Sequence, residues 1–417
     1  MFFGCQMYTA VDKVASQYVK SFYSESEELY TTEKANDLPI NVAALVLRSL
    51  SLMCQAKDDA VVQSANDSIQ MGARLGFFKK GQPSSMAPEE LPDNGTRMNA
   101  YLAWGAFCWH VTITLFYRQP HVEVINLSPI LPIPKNQFFN AVHHKTQEPD
   151  DMMGEAFPAL CEFWLIVHSA LWIYHCSYSD SPPDIWRSIL SEHKFRELLA
   201  WSNRIPLSLH REKMSGPHVP VCHIWLHAAL LDIVRTFTGT ESQAPRIWTT
   251  FNASDSSADA AYKASVNQLK RLILDYRTNY ETSTYSILWH TGLLYLINAL
   301  LESPRDPEWH LYFLLCIYGY HSLRASYHVS ESIGKGLLAM TLRETDLPVD
   351  EARKILEHLE NGEPADPERR PSATFMADLK LAELDPTRAQ VENMAEEFEL
   401  MALFNEIMEQ NRMECSE

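Results

Sequence analysis

Two groups of side chains are of types that could do chemistry, and the first is a pair of histidines. His223 and His227 are four residues apart in a predicted helix, directly after Cys222. Residues four apart lie on one helical face, so both imidazoles could face one metal ion. A zinc site needs further ligands, and no HExxH arrangement is present. We therefore expect no metal here and interpret both histidines as structural residues.

The second group is a cluster of carboxylates. Asp150 and Asp151 precede Glu155, and such clusters can hold Mg²⁺ against a diphosphate, as in all-α isoprenoid synthases. Their spacing differs from that of the usual Asp-rich motif. The second metal motif, with Asn/Asp, Ser/Thr and Glu at four-residue steps, is absent from the sequence. A Mg-dependent isoprenoid-type enzyme is therefore only the second alternative.

Other catalytic signatures are absent from the sequence. It contains no GxxxxGK[ST], no GxGxxG after a strand and no GxSxG, so nucleotide hydrolysis, dinucleotide chemistry and the common hydrolase elbow lack support. The sequence predicts a protein that is not an enzyme and that holds no cofactor of its own.

The elements that would position these residues are predicted to be helices. Of the 417 residues, 46% are hydrophobic and only 14 are glycine, and apolar residues recur at helical spacing in nearly every segment. The predicted fold is all-α, an irregular bundle of antiparallel helices with a Pro-rich internal linker. Helices are expected at 5–30, 39–56, 58–78, 97–118, 159–177, 183–202, 219–238, 256–280, 283–302, 307–328, 330–344 and about 385–412.

Charge and cysteine usage limit the environment and the partners. The net charge is -18, and residues 343–417 carry 20 acidic and 8 basic side chains, so direct nucleic-acid binding is not expected. The eight cysteines form no CxxC pair and are predicted to be reduced, inside the cell. The apolar runs 287–301 and 309–323 are too short to span a bilayer. They predict a buried helical hairpin and no membrane association.

The segment SANDSIQMGARLGFF at 64–78 ends a predicted helix with Ala73, Leu75 and Gly76. A glycine after the last turn can take a positive φ and close the helix, while Leu75 packs inward. These residues are therefore interpreted mainly as structural.

A second segment, TRMNAYLAWGAFCWHVTITLFYRQP at 96–120, begins with Arg97 and ends with Arg118 and Pro120. Trp104 belongs to an aromatic stripe that is expected to be buried. Arg118 stands next to a proline break, where a cation can interact with the helix C-terminus. A ligand pocket is the alternative role for this arginine.

A third segment, at 195–237, carries Trp201, Pro206, His223 and His227. In this order the three segments resemble the fungal-specific transcription factor domain, the middle homology region that follows a six-cysteine zinc cluster in fungal regulators. Residues 308–343 are similar to the closing helices of nitrate-regulator-like members. The resemblance covers about residues 1–360.

The resemblance implies a nuclear regulatory and effector domain that controls RNA polymerase II transcription. It implies coactivator or repressor partners, a small-molecule effector and a homodimer as candidates. DNA binding and zinc are expected only if a six-cysteine cluster lies upstream, because Cys5 and Cys54 are the only cysteines before position 100. The first alternative is a stand-alone interaction protein without DNA binding.

The predicted organisation has three parts: the regulatory domain at 1–360, with a candidate subdomain break at 119–158, a polar linker at 361–384, and an acidic amphipathic helix within 385–417. The last part places a wide apolar face amid carboxylates, as in helices that dock into hydrophobic grooves. Its candidate activation segment comprises Phe398, Leu400, Met401, Leu403, Phe404 and Ile407. The alternative is a C-terminal helix that packs on its own domain.

Overall fold

The computed structural model describes residues 1–80, 91, 93–117, 127–134, 152–175, 184–212, 215–235, 257–302, 306–345, 347–360 and 373–401. It is 76% helical, with 14 helices and one two-stranded sheet in these ranges, so the predicted all-α fold class is confirmed. The helices are α1 (Phe2–Tyr8), α2 (Ala15–Glu33), α3 (Pro39–Cys54), α4 (Asp58–Arg74), α5 (Asn94–Tyr117), α6 (Met152–His175), α7 (Asp184–Ser202), α8 (His218–Arg235), α9 (Ala258–Asn279), α10 (His290–Leu301), α11 (Trp309–Arg324), α12 (Val329–Glu344), α13 (Val349–Glu360) and α14 (Leu381–Leu384). Residues 391–401 are also helical.

Most predicted helices lie near the expected positions, and four differ clearly. The helix predicted at 283–302 begins as α10 at His290, after two short 3₁₀ turns, and the helix predicted at 385–412 begins at residue 391. The other two differ for local reasons. The helix predicted at 5–30 is divided into α1 and α2. Between them Asp12 Oδ1 accepts a hydrogen bond from the Val14 backbone N at 2.9 Å, a local contact that competes with helical bonding. Helix α6 begins at Met152, seven residues before the predicted start. It contains Pro158, which removes one helical hydrogen bond, but its neighbours Ala156 and Ala159 are buried and hold this turn against the core.

The small sheet was not predicted. Strand β1 (Phe78–Lys80) pairs antiparallel with β2 (Leu127–Pro129), with Phe78 opposite Pro129. Strands of three residues carry too short an alternating pattern to be recognised in sequence. The pairing fixes part of the Pro-rich stretch to the end of α4.

Two groups of buried side chains form the core. One group takes residues from each helix from α3 through α8 and from the start of α9. The other takes residues from α3, α4 and α5, from each helix from α8 through α13, and from residues 373–398. Trp225 of α8 packs against both groups. Helices α10 and α11 pack against each other, and the end of α11 lies beside the start of α10, where Gly319 approaches Trp289 and Tyr320 approaches His290. The two helices therefore form the predicted buried hairpin.

Two further predictions concern chemistry and environment. Six cysteines lie in the described ranges, where all six are free, and the four that are buried agree with the prediction of core residues. None of the helices in the described ranges is long and apolar enough to cross a membrane.

Candidate functional site

The C-terminal residues 373–401 fold back onto the helical body, and we call them the C-terminal unit. Residues 375–377 pair with residues 389–391 through backbone hydrogen bonds, from Ala377 N to Ala389 O at 2.9 Å and from Val391 N to Phe375 O at 3.0 Å. Met376 and Gln390 form an antiparallel bridge. The short helix α14 lies between these two paired segments in the sequence, and residues 391–401 form a helix after the second.

The second half of the polar linker expected at 361–384 needs correction. In the structure Ala373, Phe375, Met376, Ala377 and Leu379 are buried in the core. The apolar side chains of this short run pack against α10 and α12. The free energy gained by burying their apolar surface exceeds the conformational entropy that is lost when the chain becomes ordered. Residues 361–372 lie outside the described residues.

A buried carboxylate holds the beginning of the C-terminal unit. Asp58 is the first residue of α4 and is 2% exposed. Its Oδ2 accepts hydrogen bonds from the backbone N and the hydroxyl of Thr374, and its Oδ1 accepts one from Tyr117 Oη at 2.8 Å. Burial raises the pKa of Asp58 to about 6, although the hydrogen bonds from Thr374 and Tyr117 act in the opposite direction.

A buried amide holds the next residues. Asn298 of α10 is 8% exposed. Its Nδ2 donates to Ala377 O at 2.9 Å, and its Oδ1 accepts from Leu379 N at 2.8 Å. One side chain thus satisfies two backbone groups of a segment that has few partners of its own.

Cations on α12 lie beside the acidic residues of the C-terminal unit. Arg343 forms a short ion pair with Asp378, and its Nη1 is 3.7 Å from Glu397 Oε2. Lys335 Nζ is 3.0 Å from Glu399 Oε1. Both cations are largely buried, with side chains 14% (Lys335) and 24% (Arg343) exposed.

The apolar face of residues 391–401 is seated between these charges. Val391, Met394 and Phe398 are each no more than 1% exposed. A Cβ added at Gly336 of α12 would be 3.3 Å from Met394 Cβ and 3.5 Å from Val391 O. Gly336 therefore permits close approach of the two helices, which a larger residue would prevent.

The described residues of the candidate activation segment differ in their exposure. Phe398 is buried, whereas Leu400 is 66% exposed and Met401 is partly exposed. Leu403, Phe404 and Ile407 lie outside the described residues. In this structure the apolar face packs on its own domain at Val391, Met394 and Phe398, which is the arrangement expected of a docked C-terminal helix.

A small cavity lies behind the C-terminal unit. It is lined by Met53, Tyr117, Ile287, His290, Val329, Ile333 and Phe375. The His290 ring packs edge-on against Phe375 and Tyr320, with centroid distances of 6.1 and 6.3 Å. Burial lowers the pKa of His290 to about 4, so this imidazole is neutral at pH 7.

The described residues of the first two sequence segments close a helix, pack in the core or lie in the first turn of α5. Gly76 has a φ of 78°, the positive value that the end of α4 predicted, and Ala73 and Leu75 pack against a core group. Trp104 is fully buried and donates from Nε1 to Leu131 O at 3.0 Å. Arg97 lies in the first turn of α5 and is partly exposed. Arg118 and Pro120 lie outside the described residues.

The residues of the third segment hold the connection between α7 and α8. Trp201 donates from Nε1 to Ala159 O at 2.9 Å, and Pro206 precedes a 3₁₀ turn whose Leu209 O is 3.1 Å from His223 Nε2. His227 Nδ1 is buried with no hydrogen-bond partner in the described structure, and burial followed by the nearby His223 lowers the pKa of His227 to about 4. The pair anchors a loop through His223 and fills space through His227.

The structure brings no metal-binding group together in the described ranges, where no set of three or more His, Cys, Asp or Glu side chains could hold an ion. Glu155 is exposed and accepts a short hydrogen bond from the Ser208 hydroxyl. Asp150 and Asp151 lie outside the described residues.

The geometry defines a mostly helical protein whose acidic C-terminal unit is held by buried polar contacts. Comparisons with models of known families, with curated proteins and with solved structures find no match to this chain.

The residues that hold the C-terminal unit were not singled out in the sequence. A signal existed for Asn298, since it is a polar residue inside an apolar helix and therefore requires a partner. Asp58 had a weaker signal, because an acidic residue in the first turn of a helix is common without any distant contact.

Proposed function

We propose that this chain is the regulatory and effector domain of a nuclear transcription regulator of the fungal zinc-cluster class. In this proposal the helical body restrains the acidic C-terminal unit, whose exposed state binds coactivator or repressor proteins. The observation that carries the proposal is that Val391, Met394 and Phe398 are buried on the body while the carboxylates of Glu397 and Glu399 pair with α12.

Release would change the surface that a partner meets. The docked helix hides three apolar residues at i, i+3 and i+7 spacing, and a released helix presents them amid carboxylates, in the manner of helices that bind hydrophobic grooves. Regulation is then a shift between docked and released populations, and any effector must bind one population more tightly than the other. A small-molecule effector and a homodimer contact are both candidates for that role.

DNA binding belongs, in this proposal, to a six-cysteine zinc cluster encoded upstream. Mapping the 5′ end of the native transcript tests this part: an in-frame six-cysteine exon supports the DNA-binding regulator. A start at Met1 without such an exon favours the alternative, a stand-alone interaction protein that occupies partners without its own DNA contact.

The regulatory step is tested by fusing the full chain to a heterologous DNA-binding domain with a reporter gene. Gly336→Val alters the body and leaves the sequence of the C-terminal unit intact, so we expect a several-fold change in reporter output. Gly105→Ala is the matched control, because an added Cβ there meets nothing within 4 Å. Unchanged output for Gly336→Val, or after deletion of residues 385–417, would remove the proposed role of the C-terminal unit.

A further inference from the structure

The surface of α12 that receives residues 391–401 has the features of a recognition groove. Gly336 provides a position without a side chain, where Met394 and the backbone of Val391 approach closely. Lys335 and Arg343 lie on the same helix and pair with Glu399 and Glu397. We call the surface around Gly336, Lys335 and Arg343 the α12 groove.

The selectivity of the α12 groove follows from these contacts. It accepts apolar residues at i, i+3 and i+7, and its two cations favour carboxylates beside that stripe while disfavouring basic helices. None of the contacts requires that the helix be covalently attached to α12. The chemistry would act equally on an acidic amphipathic helix from another protein.

We infer that the α12 groove is a docking site for the acidic amphipathic helix of a partner protein, and that the chain's own residues 391–401 are its resident occupant. The inference deepens the proposed function, on which it rests, by naming the partner chemistry of the body. Charge complementarity argues for this occupant, because Lys335 and Arg343, which also pair with Glu331 and Asp378, hold Glu399 and Glu397 at the edge of a buried apolar contact.

The resident helix competes strongly because it is tethered. A tethered segment has an effective concentration in the millimolar range, so a partner helix binds the wild-type chain weakly and binds tightly only when the resident helix is displaced. Met394→Asp in the full chain provides that state, since it places a charge at the buried contact with Gly336 and leaves the groove residues unchanged.

The experiment measures fluorescence anisotropy of a labelled peptide of residues 385–405 titrated with full-length chains. We expect affinity for the Met394→Asp chain to exceed that for wild type by about tenfold or more. Adding Lys335→Glu and Arg343→Glu to that chain should reverse the gain, and Leu384→Asp, at an exposed residue of the C-terminal unit, should behave as wild type. Equal affinity for wild type and Met394→Asp, or no effect of the charge reversals, overturns the inference.

A second measurement keeps the test decisive if Met394→Asp unfolds the chain. Excess Leu400→Ala peptide, which differs in mass from the chain's own segment, is added to the wild-type chain, and amide hydrogen exchange is followed in residues 391–401. Faster exchange supports displacement from the α12 groove, and unchanged exchange at saturating peptide overturns it. If the wild-type chain forms a dimer that Met394→Asp abolishes, the α12 groove binds a second copy of this chain. That result would also overturn the inference.

The two proposals fail separately. Peptide binding to the α12 groove without any change in reporter output removes the transcriptional role and leaves the docking site. A reporter that responds to Gly336→Val while the peptide fails to bind leaves the regulatory role and removes the partner helix.

Discussion

Asp58 and Thr374 are 316 positions apart in the sequence, yet one carboxylate oxygen of Asp58 accepts both the backbone N–H and the hydroxyl of Thr374. The other oxygen accepts the hydroxyl of Tyr117. This contact joins the start of α4, the end of α5 and the beginning of the C-terminal unit. A buried acceptor with three donors stabilises this contact strongly, because removing it takes one hydrogen bond from each donor in a low-dielectric site.

Asp58→Ala is expected to destabilise the protein by about 3 kcal/mol at pH 7, since buried donors that lose their acceptor cost about 1–3 kcal/mol each. The measurement is the free energy of unfolding in urea. Asp59→Ala is the control, because Asp59 is an exposed neighbour in the same first turn of α4 and should cost less than about 1 kcal/mol. Equal losses for the two variants would contradict a specific role of Asp58.

The pH-dependent part of the contribution of Asp58 to stability should fall as the pH rises from about 4 to about 6. Burial raises the pKa of Asp58 from 3.8 to about 6 in the folded chain, so the folded state binds the proton more tightly than the unfolded state. This pH-dependent part, which is separate from the hydrogen bonds that Asp58→Ala tests, is complete below the unfolded pKa and is lost as the pH rises through the folded pKa, by roughly 3 kcal/mol. The stability difference between wild type and the non-titrating Asp58→Asn isolates this effect from other carboxylates. A difference that is constant from pH 4 to pH 7 would contradict it.

The helices could be predicted because their signals are local. Helix α9 was expected at 256–280 and spans Ala258–Asn279, where Ser257 accepts a hydrogen bond from Ala260 N as its N-cap. Helix α3 starts at Pro39, whose fixed φ suits the first helical position. Capping residues and an apolar period of 3.6 lie within a few positions of one another, so the sequence alone displays them.

The C-terminal unit could not be predicted, because its contacts are distant in sequence. Phe375 and Met376 stand in a short run without helical or alternating period, near prolines that indicate a loop. The apolar stripe of Val391, Met394 and Phe398 is equally suited to a partner's groove and to α12, since both require the same face. Only the position of Gly336 opposite Met394 distinguishes the two, and that position depends on the folded arrangement of the helices.

His290 should contribute a pH dependence of the opposite sign to that of Asp58. Burial lowers the pKa of His290 from 6.5 to about 4, so below pH 6.5 the unfolded chain gains a proton that the folded chain excludes. The neutral His290 ring therefore contributes to the free energy of unfolding in full above pH 6.5. About 3 kcal/mol of this contribution is lost as the pH falls toward 4.

Among the groups that face His290 are Tyr320, whose hydroxyl is 3.4 Å from its Nδ1, and Phe375. His290→Phe removes the titration and keeps an aromatic ring in the core. We expect this variant to lose less stability than wild type between pH 6.5 and pH 4, as measured by urea unfolding at each pH. Equal losses would mean that the His290 ring is protonated in the folded chain.

Gly336→Val should loosen the C-terminal unit, whereas Gly105→Ala should stabilise the chain. A Cβ at Gly336 would already lie 3.3 Å from Met394 Cβ, and valine adds two methyl groups beyond it, so we expect overpacking to cost about 1–3 kcal/mol. At Gly105 in the middle of α5 an added Cβ meets nothing within 4 Å, so alanine should add up to about 1 kcal/mol through its helix propensity.

Limited trypsin cleavage after Arg388 shows which part of the chain is destabilised by Gly336→Val. The Arg388 side chain is 61% exposed and lies just before residues 391–401. Cleavage that is faster in Gly336→Val than in both Gly105→Ala and wild type would locate the loss in the C-terminal unit, because local opening exposes the backbone to the protease. A stability loss in urea without faster cleavage would instead mean that the C-terminal unit unfolds only together with the body, and a docked helix that never opens alone cannot be released to bind a partner.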